Sequence, residues 1–223
     1  MKKIKVASAF VATTALLLAV SSCSKAEQKP APVPAAPAAN ETPAKTPAPT
    51  PAPAAEEPVA AAPALNMELV NKQIEGIYLS ANDLEVGVLT AVTPAEDGFS
   101  LNASEEKTLE VQDITKDPVT VGDDTFTKRI TTKGSGKADL RNISFPAKEG
   151  DSIIVYCGSS SKSDARPLHV VDFESGEEIG TITMGANGSK DITVDEVKVS
   201  KDGTYCVYST SGAGYIYQIK VGK

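Results

Sequence analysis

The sequence predicts an all-β protein: an antiparallel, jelly-roll-like β-sandwich behind a disordered N-terminal tether. Three observations carry that expectation. Short apolar runs with period-two alternation recur from Leu65 onward. Turn residues separate them at roughly 8–12-residue spacing, the pattern of a sandwich or barrel. Prolines, which a sandwich interior tolerates poorly, crowd upstream instead: 11 of the 15 fall in residues 24–64.

The first 22 residues have the parts of an export signal. Lys2, Lys3 and Lys5 precede a 15-residue apolar stretch, Val6 to Val20, which contains Ser8, Thr13 and Thr14. That run is shorter than the roughly 20 residues needed to cross a bilayer core, so a cleaved signal is the expectation. Val20-Ser21-Ser22-Cys23 resembles a bacterial lipobox, an aliphatic residue and two small ones before a cysteine. The resemblance implies cleavage before Cys23 and lipid, diacylglyceryl and palmitate included, on its thiol. Ser24, where an aspartate is associated with inner-membrane retention, favours the outer membrane in a diderm organism. The expected location is the cell envelope, facing periplasm or exterior.

Residues 23–64 then read as the lipidated cysteine and a Pro/Ala-rich disordered linker. Each proline in Pro47-Ala48-Pro49-Thr50-Pro51-Ala52-Pro53 removes an amide donor and restricts its predecessor, which excludes helix. Extended polyproline II at about 3.1 Å per residue gives a reach on the order of 100 Å. A spacer is the plain reading, and a proline-rich ligand for a partner domain the other.

Residues 65–223 are expected to form one domain, with 16 basic against 25 acidic residues, a net of −9. Such a charge repels phosphate backbones, so no nucleic acid partner is expected. Strands are expected at 75–80, 84–92, 98–103, 107–114, 125–132, 138–145, 151–157, 167–173, 177–184, 191–199, 203–209 and 214–221. Phe99, Leu101 and Ala103 should share a face, as should Leu109 with Val111, Phe126 with Ile130, Ile143 with Phe145, and Tyr215 with Tyr217, Ile219 and Val221. Turns fall at Asp97-Gly98, Gly134-Ser135-Gly136, Glu149-Gly150-Asp151, Ser175-Gly176, Asn187-Gly188 and Asp202-Gly203. Helical spacing is confined to residues 65–74.

A resemblance enters on Phe126-Thr127-Lys128-Arg129-Ile130, on Leu140-Arg141-Asn142-Ile143-Ser144-Phe145, and on Ser152-Ile153-Ile154-Val155-Tyr156 leading to serines 159–161. It continues through Arg166-Pro167-Leu168 and Gly203-Thr204-Tyr205-Cys206-Val207-Tyr208-Ser209, and closes on Gly214-Tyr215-Ile216-Tyr217-Gln218-Ile219-Lys220-Val221. This segment, 96 of 223 residues, resembles a non-catalytic β-sandwich module appended to bacterial pectate lyases and other surface proteins. The resemblance implies a jelly-roll-like fold, glycan binding and no catalysis. The chain contains no lyase domain that such a module would deliver.

The residues themselves offer little chemistry. His169 is the sole histidine and sits in an expected strand, and no Gly-x-Ser-x-Gly elbow accompanies it. Asp123-Asp124, Asp172 with Glu174, and Asp191 with Asp195 and Glu196 are acidic pairs without EF-hand spacing, and Cys157, Cys206 and His169 lack zinc spacing. No metal, no cofactor and no enzymatic activity are therefore expected. Cys157 and Cys206 leave two readings open, a disulfide or two buried free thiols. Candidate ligand-binding residues are Ser159, Ser160, Ser161, Asp164 and Arg166 in one polar loop, Ser209 and Ser211 in another, and Tyr215 beyond it. Both loops follow cysteine-bearing strands, which places them at one end of the sandwich. The expected partners are a membrane, through lipid on Cys23, and a glycan, with a structural or adhesive role on an envelope protein as the alternative. A lyase or hydrolase of unrecognised type is the third reading. Cys23→Ala should abolish metabolic palmitate labelling and move the protein from the membrane to the soluble fraction, checked by fractionation.

Overall fold

The computed structural model describes residues 65–186 and 190–223. The signal, Cys23, the tether and the Asn187-Gly188 turn lie outside the described residues. A short helix α1 (Met67–Val70) comes first, capped by the Asn66 side chain, which accepts from the amides of Glu68 and Leu69. It is one turn long where the spacing predicted up to ten residues.

Fifteen strands follow: β1 (Gly76–Ser80), β2 (Gly87–Leu89), β3 (Thr93–Pro94), β4 (Ser100–Asn102), β5 (Leu109–Asp113), β6 (Val119–Val121), β7 (Asp124–Phe126) and β8 (Lys128–Thr131) form the first half. The second half is β9 (Asn142–Ala147), β10 (Ser152–Ser159), β11 (Arg166–Asp172), β12 (Glu178–Met184), β13 (Thr193–Lys198), β14 (Gly203–Ser209) and β15 (Gly214–Gly222). One sheet runs β13-β10-β15-β8-β5-β2, with β1 also on β15. The other runs β12-β11-β14-β9-β4-β3, and β6-β7 stand apart as a hairpin. All pairings are antiparallel, and successive strands cross repeatedly between the sheets. The all-β sandwich expectation holds.

Burial explains the sequence runs. Ile153, Val155 and Cys157 of β10 point between the sheets, onto Leu168, Val207, Ile143 and Phe145. Ile154 and Tyr156 point the other way, into a second apolar cluster with Phe126, Tyr217, Val194 and Leu69 on the outer face of the first sheet. All eight residues of β10 are buried, which is why the strand reads as a continuous apolar run instead of an alternating one. Helix α1 and the β6-β7 hairpin are the cover over that outer cluster.

Several expectations change. Tyr215 and Tyr217 do not share a face with Ile219 and Val221. Tyr156 pairs with Gln218 and Cys157 with Ile216, so Tyr217 is the extra residue of a bulge. The bulge sends Tyr217 outward and returns Ile219 and Val221 to the inter-sheet core. Phe126 and Ile130 likewise part, Phe126 outward and Ile130 inward, because the 125–132 run is two strands broken at Thr127. The 84–92 run pairs only over Gly87–Leu89, and the 138–145 run begins at Asn142. Residues 132–141 are a loop held against the second sheet, where Asn142 Nδ2 donates to Lys137 O (3.1 Å) and Ala138 O (2.8 Å).

No disulfide joins Cys157 and Cys206; both thiols are free and buried. They lie in different sheets, and Cys206 faces away from the inter-sheet core, its thiol directed at Ala138 O (3.8 Å). Burial pushes the Cys157 thiol up and that of Cys206 up to about 12, so both stay protonated and inert. Truncating the fully buried Ile154 to alanine should cost about 2–4 kcal/mol through lost burial and a residual cavity. Urea unfolding checks this.

Candidate functional site

The two polar loops do meet at one end of the sandwich. Ser160 donates to Ala213 O through both its amide (3.2 Å) and its Oγ (2.8 Å). Arg166 Nη1 donates to Ala213 O (2.7 Å) and to Ser160 Oγ (3.1 Å). The guanidinium lies against Gly212, where a Cβ would sit 2.8 Å from Nη1. Asp164 accepts from Ser161 Oγ (2.6 Å) and Ser163 Oγ (3.1 Å), and these bonds hold its carboxyl below the usual range. Ser159 and Ser209 are fully buried, while Asp164 and Ser211 are exposed. The loops thus clamp one another, with the hydrogen bonds of Ser160, Asp164 and Arg166 turned inward, while the buried Ser209 hydroxyl has no partner. Tyr215 is not with them: it lies on the outer face of the first sheet, with the Arg129 guanidinium 3.8 Å above its ring.

His169 joins the 209–214 loop by a different route. Its Nε2 is 2.9 Å from Thr210 Oγ1, and its Nδ1 is 2.7 Å from Glu178 Oε2. The ring stacks on Tyr208 at 5.6 Å. Hydroxyl, imidazole and carboxylate in line is the connectivity of acyl-transfer triads. Here it spans β11, β12 and the loop after β14 on an open surface.

Open space lies instead on the outer face of the first sheet, beside its cover. One cavity of about 640 Å³ is bounded by residues 70–78, by Asp123 and Asp124 at the hairpin turn, and by Gln218 and Lys220 of β15. That is within the usual size of a small-molecule site. Tyr78 stands at its edge with 55% of its surface exposed, the most exposed aromatic ring of the domain. It is placed there by β1 pairing, Tyr78 opposite Lys220 and Ser80 opposite Gln218. Lys220 Nζ donates to Tyr156 Oη (3.0 Å) and approaches Asp124 Oδ2 (3.4 Å), and Tyr156 Oη donates to Val70 O (3.3 Å). Lys72 is committed to Glu196 at 2.8 Å. The wall therefore sets the paired Asp124 and Lys220 side chains, with the amides of Asn71 and Gln73, beside one aromatic face. Sequence reading missed this site because its parts come from residues 70–78, 123–124 and 218–220. The one signal was Tyr78 in a strand whose other face is apolar.

Two members of the acidic groups, Asp172 and Glu196, are held by local partners. Asp172 Oδ1 accepts from the amides of Glu174 and Ser175 and from Ser175 Oγ, while Oδ2 pairs with Lys201 at 3.1 Å. Those bonds lower its carboxyl to about 2. Burial alone would raise Glu196, but Lys198 and Lys72 hold it at about 2. Among the described residues no group of three or more His, Cys, Asp or Glu is arranged to hold a metal.

No protein-family model and no curated protein matches the chain. Among solved structures it is similar to a carbohydrate-binding module, CBM36, in complex with calcium and xylotriose. Identity is 14% and the TM-score 0.35, over 66% of this chain and 99% of that one. It is also similar to a CBM6 from Clostridium stercorarium in complex with cellobiose, at 13% identity and TM-score 0.37 over 66% and 94%. A third is the tandem CBM51 modules of a family 98 glycoside hydrolase from Streptococcus pneumoniae, at 17% and 0.39 over 74% and 52%. Overlaps this slight do not bear on function.

The depressed Asp172 carboxyl sets an acid limit on the turn after β11. A folded value near 2 against an unfolded one of about 3.9 means that its contribution is present above pH 4 and is lost as pH falls towards 2. Asp172→Asn should lower stability at neutral pH and flatten the loss between pH 4 and 2, read by circular dichroism across a pH series.

Proposed function

We propose that this chain is a lipid-anchored envelope protein whose β-sandwich binds carbohydrate without catalysis, at the cavity edged by Tyr78. The half-exposed Tyr78 ring over a polar wall carries the reading. A sugar presents an apolar C–H face and a rim of hydroxyls, and an aromatic ring beside carboxylate, amide and ammonium groups complements both. The resemblance of residues 126–221 to glycan-binding modules supports the same class of ligand. Lipid on Cys23 and the Pro/Ala tether, on this reading, hold the sandwich to a membrane, the outer one in a diderm, while letting it reach a polymer at a distance. The interlocked serine loops serve as scaffold.

A second reading, docking to an envelope protein, draws on Val86, Val88 and Val92. These are exposed by 52%, 56% and 61% around the edge strand β2. Exposed apolar residues at an unpaired sheet edge are a feature of strand-mediated association. Crosslinking in intact cells separates the two, since a protein partner is captured through β2 and a glycan is not. For the first reading, the full chain should be retained on immobilised polysaccharide or a glycan array. Tyr78→Ala should weaken that retention about tenfold, or 1.4 kcal/mol, and Arg166→Ala should leave it unchanged in a folded protein. An array blank at millimolar ligand, or binding indifferent to Tyr78, would remove the assignment.

A further inference from the structure

A second cavity, of about 490 Å³, opens on the same outer face under Arg129. We propose that it is a subsite for the carboxylate of an acidic sugar residue, an inference that rests on the glycan-binding reading and assigns it a ligand charge. Arg129 projects from β8 and is held flat, its guanidinium carbon 3.8 Å above the Tyr215 ring. Its Nε and Nη2 reach Gln112 Oε1, both at 3.4 Å, a long contact for a charged donor, and the side chain also hydrogen-bonds Tyr217. Among the described residues no carboxylate lies within ion-pair distance of it.

Arg141 and Arg166 likewise form no ion pair among the described residues, and what sets Arg129 apart is its stacking on Tyr215 at the wall of a cavity. Lys72, Lys133, Lys198, Lys201 and Lys220 each pair with an acid, as an excess of acidic residues would dictate. Glu110, whose charge is felt by Arg129, is committed to Lys133 at 2.6 Å. Asp113 and Asp117 line the cavity without bonding the guanidinium, and Lys116 and Lys190 line it as well. A planar fork fixed by stacking and lacking an anionic partner is the arrangement that receives a carboxylate in two parallel hydrogen bonds. The remaining wall is apolar: Ile114, Pro118 and Val119 offer contact to the C–H face of a ring. Val119 and Thr120 belong to the hairpin whose turn residues border the Tyr78 cavity, so one element borders both openings.

The test compares polygalacturonate with its fully methyl-esterified form, using the full chain in detergent micelles at low ionic strength. Affinity electrophoresis and calorimetric titration give the readout. The acid should bind at least tenfold tighter than the ester, and Arg129→Gln should erase that difference. Arg129→Lys should restore part of it, since charge returns without the fork. Should Arg129→Gln fail to fold, Lys116→Ala decides, with a severalfold loss expected for the acid alone. Equal binding of acid and ester, or a variant that melts lower yet keeps the preference, overturns the subsite. Competition by inorganic phosphate as strong as by galacturonate overturns the sugar assignment. If neutral glycans bind through Tyr78 while acid and ester are indistinguishable, the subsite fails and the broader reading stands. If no glycan of either kind is retained, both fail.

Discussion

The pairing of β10 with β15 is the constraint on which the rest of the structure depends. Eight residues of β10 are buried, and β15 runs beside it from Gly214 to Gly222, giving its other edge to β8 at one end and β1 at the other. A strand pair buried on both faces must have something to bury it on each side. The second sheet covers one face, and α1 with the β6-β7 hairpin covers the other. The bulge at Tyr217 supplies an additional aromatic ring to the outer side without withdrawing Ile219 and Val221 from the inner one. Phe126 then packs against both Tyr156 (5.8 Å) and Tyr217 (5.5 Å), and the hairpin is fixed by that contact. Both openings on this face are the margins of the cover.

Much of the sandwich was legible in the sequence. Alternation in 98–103 and 107–114 identified the inward residues Leu101 and Leu109, and glycines at Gly150 and Gly176 occupy left-handed turns, with φ of 85° and 72°. What was not legible follows from the period of two, which separates the faces of a strand but does not say which face is covered by what. Val119-Thr120-Val121 alternates like any strand, yet it is too short to be distinguished from the loop around it, so the hairpin was missed. A bulge is equally silent: Tyr215 through Val221 alternates perfectly on paper, and only the partner strand reveals that Tyr217 faces outward. The loops at 158–166 and 209–214 were correctly placed together. Their polarity, however, is consumed in contacts such as Arg166 to Ala213 and Ser161 to Asp164. The cavity under Tyr78, by contrast, draws on three distant segments and announces itself in none of them.

These two regions illustrate how polar residues divide between holding a fold and meeting a ligand. Asp164 has short partners within its own loop, and Ser160 and Arg166 reach across to satisfy the Ala213 carbonyl of the other. Around Arg129 the contacts to Gln112 are long, the Tyr215 ring lies beneath the cation, and the Tyr78 ring lies open. Polar side chains thus serve as scaffold at one end of the sandwich, and on its flank they border the two openings proposed as binding sites.

The path of the chain into the domain has a mechanical consequence. Residues 70–78, eight of which line the Tyr78 cavity, run on directly from α1, and they are secured by Leu69 and Val70 in the outer cluster and by the five-residue β1 ladder on β15. Force applied to the chain ahead of Met67 meets α1 and then that wall before it reaches the rest of either sheet. If the chain is anchored upstream and holds a polymer at this cavity as proposed, drag on that polymer and pull on the leash would be borne by the same stretch of chain.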